Sequence, residues 1–163
     1  AGYRLGKKLP EGLVLGSRGP YGIYANNLID TELATWFRDA YVDRFGTLPT
    51  QGSYQYAQGI LGAKYAYEKA AAANGGNFPS TDQVIAALEG ATFQGVATEV
   101  RLALNNGHQG LTDHMWGISK YDPDKGLPVV TDVVLYKAEC IMPPDGVGSV
   151  EWIKGGMKGA QCD

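Results

Sequence analysis

The segment from Asp30 to Asn74 constrains the chain more than any other, because it fits two consecutive helices of different character. In the first half Leu33, Trp36, Phe37, Ala40, Tyr41 and Phe45 recur at three- and four-residue steps, leaving Arg38, Asp39, Asp43 and Arg44 for solvent. That is the period of an amphipathic helix packed on one side. Asp30 is placed to cap its first N–H groups, Glu32 suits the positive end of the dipole, and Gly46 followed by Pro49 stops it. The second helix, over 53–74, carries Gly59, Gly62, Ala63, Ala66 and Ala70, small residues that let another backbone come close. Its opening at Gln51, Gly52, Ser53 and Tyr54 presents N–H groups that suit a carboxylate. These features together point to a ligand-binding lobe.

Around this pair the chain carries signals of both strands and helices. A buried-strand pattern spans Gly12 to Gly16, and SRGPYGIYANN (17–27) follows as a turn-rich link. Ser80 and Gln83 form a capping box opening a helix to Gly90, with Val84, Ile85 and Leu88 as its apolar face. Strands are expected at Glu99–Leu104, His114–Tyr121 and Val129–Tyr136, with the turn Asp122–Gly126 between the last two. A short helix is expected around Val150–Lys154, and Trp36, Phe37, Phe93 and Trp116 are expected in the core.

The charge balance narrows the partners. Charged residues are 19% of the chain and the net charge is −3 with no basic run, which argues against nucleic acid or an anionic membrane as partner. Hydrophobic residues at 44% describe a folded chain. His108, Asp113 and His114 lie close in sequence, but not at the spacing of a helical pair or a finger, so no metal is expected. Gly16-Ser17-Arg18-Gly19 lacks a nucleophile elbow, and neither a phosphate loop nor a dinucleotide fingerprint occurs. Glu99 and Asp113 are available as an acid and base, as almost any two carboxylates are. An enzyme, for instance a small-molecule hydrolase, is therefore not expected, and no cofactor is implied.

FRDAYVDRFGTLP (37–49), the polar gap before Tyr54, Tyr56-Ala57 and the alanine-rich helix, STDQVIAALEGATFQG (80–95) and VRLALNNGHQ (100–109) follow one another in a familiar order. Over roughly residues 12 to 162 the chain resembles the last part of the periplasmic solute-binding proteins of ABC importers, in the branched-chain amino-acid binding family. Many members carry Asp-His-Gln where this chain has Gly107, His108 and Gln109.

The resemblance implies a type I periplasmic-binding-protein-like fold, part of a two-lobed, Rossmann-like α/β sandwich. Residues 1–163 would be its C-terminal segment, with about 25–111 contributing to one lobe and 1–24 and 112–163 to the hinge and the other lobe. Family members are about twice as long, and Ala1 to Pro10 has neither an initiator Met nor a leader. The remaining N-terminal part of the protein is then a partner, and this segment alone should leave apolar faces uncovered.

The implied function is extracytoplasmic, periplasmic capture of a branched-chain or related amino acid or carboxylate for ABC permease subunits. A ligand-sensing module of the same fold is the alternative. The resemblance places Gln51, Ser53, Tyr54 and Tyr56 at the cleft, against the simpler reading of Ser53 as a cap and Tyr56 as core. Arg18, Tyr21 and Tyr24 are read either as a cleft rim, with Arg18 forking onto a carboxylate, or as a solvated Arg over packed tyrosines. Cys140 and Cys162 enclose a glycine- and proline-rich tail. The oxidising compartment implied by the family favours a disulfide between them over two unrelated thiols.

Overall fold

The computed structural model describes residues 2–18, 31–103 and 110–159, without the side chain of Tyr3. Tyr21, Tyr24, Asp30, Leu104, Gly107, His108, Gln109 and Cys162 lie outside the described residues. In chain order the elements are α1 (Gly2–Leu5), a 3-10 turn (Gly6–Lys8), β1 (Val14–Ser17), α2 (Glu32–Phe45), α3 (Gln51–Ala73) and α4 (Thr81–Leu88). There follow β2 (Thr92–Gln94), β3 (Glu99–Leu102), β4 (Gly110–Leu111), β5 (His114–Asp122), β6 (Leu127–Tyr136), α5 (Ala138–Ile141) and α6 (Ser149–Lys154). Two compact units divide them: Ala1–Tyr56, Val96–Thr98 and Asp113–Tyr136 form the first, and Ala57–Gly95, Glu99–Thr112 and Lys137–Asp163 the second.

The first unit is built on an antiparallel sheet in the order β1-β5-β6. Strand alternation buries Met115, Gly117 and Ser119 and turns Trp116 and Lys120 outward. Met115 and Val130 form the centre of the core, with Leu9, Leu15 and Val133 packed against them. The register shifts between Trp116 and Ile118, and Asp132 opposite that shift has φ +51°. This is a β-bulge whose extra residue takes the left-handed conformation, which Asp tolerates better than most. Gly117 lies under the bulge, where a Cβ would stand 2.4 Å from Val130 Cγ1 and 2.7 Å from the Thr131 carbonyl oxygen. Asp122 closes the β5–β6 turn by accepting from the N–H groups of Asp124 and Lys125. Those backbone donors, helped by Lys125, hold its carboxyl below the usual value.

Ser119 ties the loop before β1 to this sheet. Its hydroxyl donates to the Pro10 carbonyl at 2.7 Å and accepts from Leu13 N–H at 3.0 Å, while its backbone exchanges bonds with Gly12 and Leu13. Removing the buried hydroxyl orphans both loop groups, a loss of about 1–3 kcal/mol. Ser119→Ala is therefore expected to lower the urea midpoint without changing the slope; an unchanged midpoint would contradict the role given to the hydroxyl.

In α2 the cap is Thr31, whose Oγ1 accepts from Ala34 N–H at 3.1 Å. The cap lies one residue later than Asp30 capping predicts. Gly46 ends it at φ +63°. Ala34 is buried and Leu33, Phe37 and Tyr41 half-buried, but Trp36 is 64% exposed. At about 100° per residue Trp36 falls beside this stripe, not on it, so its expected place in the core is corrected. Trp116 is likewise corrected, because strand alternation sets it on the outer face.

In the second unit Ala66 and Ala70 of α3 meet Ala87 of α4, with Val84 and Leu88 around them. Gly62 completes the close approach: a Cβ there would stand 2.8 Å from Phe93 Cζ, and Tyr65 stacks on the same ring at 5.8 Å. Gly59 and Ala63 are exposed, so the small-residue stripe is narrower than expected. Ser80 and Gln83 form the capping box in both directions, but Ile85 points half outward. Sheet β2-β3-β4 is antiparallel and buries Phe93, Val100 and Leu111. Exposed apolar side chains remain in each unit, among them Val14 and Trp36 in the first and Phe78, Val150 and Ile153 in the second.

Candidate functional site

Thr50 and the first turn of α3 carry most of the expected cleft residues. The helix begins at Gln51, two residues before the expected start, and Thr50 Oγ1 accepts from Ser53 N–H at 3.5 Å. Ser53 is therefore inside the first turn and is not its cap. The Ser53 hydroxyl donates to Tyr41 Oη at 3.2 Å and shares a second hydrogen bond with Thr50 Oγ1. Tyr54 is only 4% exposed and meets the Phe37 ring edge-on at 4.9 Å. Burial raises the pKa of its phenol, with Arg38 acting the other way. Gln51 is exposed, and Tyr56 is 81% exposed, which removes the reading of Tyr56 as core.

Ser53 and Tyr54 are thus brought together with Tyr41 and Phe37 at the α2–α3 corner. Arg18 lies at the end of β1 in the same unit, exposed, and its charge is felt by His114. Tyr21, the sixth expected residue, is outside the described residues. His114, Trp116 and Tyr136 lie on the sheet that Arg18 follows, and the sequence does not mark them as binding residues. The signal needed was the register of β1 on β5, and that pairing joins segments about a hundred residues apart.

The second unit holds a cavity of about 260 Å³ lined by Arg101, Glu139, Met142, Pro143, Asp145 and Gly159. Arg101 Nη1 donates to both Asp145 oxygens at 3.1 and 2.9 Å, so its charge is already matched. Cys140 is half-buried in α5. No group of three or more metal-ligating side chains occurs among the described residues, nor a helix long and apolar enough to cross a membrane.

No protein-family model matches the chain, and no curated protein matches it. Solved structures do. An ABC-type branched-chain amino acid transporter from Rhodopseudomonas palustris CGA009 superposes with a TM-score of 0.64 at 22% identity, over 82% of this chain and 32% of that one. A solute binding protein of an ABC transporter from Rhodopseudomonas palustris BisB5, in complex with 3,4-dihydroxybenzoic acid, gives 0.57 at 16% identity over 78% and 31%. An amino acid ABC transporter substrate-binding protein from Pseudomonas fluorescens Pf-5 gives 0.52 at 24% identity over 80% and 33%. The chain spans about a third of the length of each. Its architecture is α/β, and its fold is part of the type I periplasmic-binding-protein fold.

Proposed function

We propose that the chain contributes to an extracytoplasmic binding protein that captures a small solute and presents it to the permease subunits of an ABC importer. The observation that carries this reading is the fold shared with an ABC-type branched-chain amino acid transporter and with a solute-binding and a substrate-binding protein of ABC transporters. Residues of about 25–111 would serve one lobe, and 1–24 with 112–163 the hinge and the other lobe. The solute is an amino acid, branched-chain or related, or another small carboxylate. Both neighbours described as amino-acid proteins and the one holding a benzoic acid fit that chemistry. Capture then works by favouring a closed arrangement of lobes, with no chemical step.

Gln51, Ser53, Tyr54, Tyr56, Arg18 and Tyr21 remain the proposed lining on this chain. Calorimetry of the full-length protein against amino acids and aromatic carboxylates tests the reading. One of them should bind at micromolar Kd or tighter, about −8 kcal/mol; no heat with any, together with turnover of one, would reject it.

We also propose the Cys140–Cys162 disulfide. Closing a loop of that size stabilises by roughly 3 kcal/mol when unstrained. Non-reducing peptide mapping should give one linked peptide, whereas two alkylated thiols in oxidised material would exclude it.

A further inference from the structure

β1 pairs with β5 in the register Val14↔Ile118, Leu15↔Gly117, Gly16↔Trp116 and Ser17↔Met115. Arg18 follows the last paired residue, Ser17, as His114 precedes Met115, and its charge acts on His114. On its other side His114 pairs with Tyr136, and Trp116 with Val134. Alternation puts these even-numbered positions of β1 and β5 on the face away from Met115. The pair His114 and Tyr136 therefore crosses one end of the sheet, next to the row Gly16, Trp116, Val134, with Arg18 just past the end of β1.

Directly opposed Cβ atoms on such a face stand roughly 5 Å apart, within reach of one small ligand. The Trp116 indole lies across Gly16, where a Cβ would be 2.8–2.9 Å from three of its ring atoms. The ring is thus held by the glycine and still 46% exposed, with Tyr136 43% exposed beside it. The ion pairs among the described residues do not include Arg18.

We propose that this end of the sheet is a carboxylate-binding patch for an organic anion with a flat apolar body, formed by Arg18, His114 and Tyr136 with Trp116 beside them. The inference rests on the capture reading and adds His114, Trp116 and Tyr136 to its lining. Arg18 supplies a planar fork matched to two carboxylate oxygens. The imidazole and the phenol donate from the adjacent strands, and the indole face carries the apolar body. Among the described residues, the charged and titratable groups facing His114 are Arg18 just past β1, Asp113 next to it in the chain and the Tyr136 phenol on β6. Burial, then Arg18, lower the His114 pKa from 6.5, with Asp113 opposing. A bound anion offsets Arg18 and favours the imidazolium. By linkage, affinity rises as pH falls through the window in which His114 takes up its proton.

Benzoate is the probe, added to the full-length protein while the His114 imidazole is followed by NMR and His114→Gln assigns the signal. Saturating benzoate should raise the pH at which His114 titrates. Arg18→Gln and Trp116→Leu should each weaken benzoate about tenfold, roughly 1.4 kcal/mol, and His114→Gln should flatten the pH dependence. These positions are exposed or half-buried, and an unchanged melting curve for each variant confirms that binding alone is read. Inorganic phosphate acting as strongly as benzoate would overturn the assignment of an apolar body. No response to benzoate in a protein that still binds an amino acid would overturn the patch and leave the capture reading standing. Absence of binding to benzoate and to every amino acid would overturn both.

Discussion

Tyr54→Ala is expected to cost about 3–5 kcal/mol of stability, the range for deleting a buried aromatic ring. For a chain of this size that lowers the melting temperature by roughly 10 °C or more. The expectation follows from burial: Tyr54 is 4% exposed and its ring meets Phe37 edge-on, so the deletion leaves a cavity between α2 and α3. Loss of binding in this variant would then mix two effects. Tyr54→Phe separates them, because it keeps the ring on Phe37 and removes only the hydroxyl. The phenylalanine variant should melt within a few degrees of the wild type, and any fall in solute affinity is then assigned to the hydroxyl. A Tyr54→Ala protein that melts normally would show that the ring is not a packing element.

Gly117→Ala is expected to be similarly damaging for a steric reason. The added Cβ would meet Val130 Cγ1 at 2.4 Å, the Thr131 carbonyl oxygen at 2.7 Å and Val133 Cγ2 at 3.0 Å. One of these contacts is backbone, so a side-chain rotation cannot relieve all of them. The loss should lie near the upper end of the overpacking range, about 3 kcal/mol, or the bulge should move and change the β5–β6 register. Gly59→Ala is the matched control: nothing lies within 4 Å of its added Cβ, and it sits inside α3. There the same change should stabilise by about 0.5–1 kcal/mol. Chemical denaturation of the two variants side by side checks the contrast, and equal effects would contradict it.

Local features were the most legible in sequence. The Ser80–Gln83 capping box, the Gly46 stop of α2 and the Asp122–Gly126 turn each depend on residues a few positions apart, and each is found. The small-residue stripe was half legible. Gly62, Ala66 and Ala70 repeat at four residues and face α4 and Phe93, while Gly59 and Ala63 lie on the flank. Aromatic character misled twice. Trp36 misses the buried stripe by one position, and Trp116 rests on Gly16 across the outer sheet face.

The candidate site was less legible for a related reason. Arg18 comes near His114 only because Ser17 and Met115, the residues next to them, pair across β1 and β5, which no local pattern encodes. Tyr54 was expected at a cleft on the strength of family resemblance, and its packing on Phe37 adds a structural role that the helix pattern alone did not reveal. Ser53 lost its expected capping role because Thr50, one residue before the helix, takes it.

The central claim is that the protein holds a small solute without transforming it. Native mass spectrometry of the full-length protein, purified without denaturation and then stripped of bound molecules, tests this most directly. The account predicts one small carboxylate, an amino acid or a close relative, released in about one-to-one ratio and rebound unchanged. A protein that releases nothing and rebinds no carboxylate, or one that returns an added solute chemically altered, would contradict it.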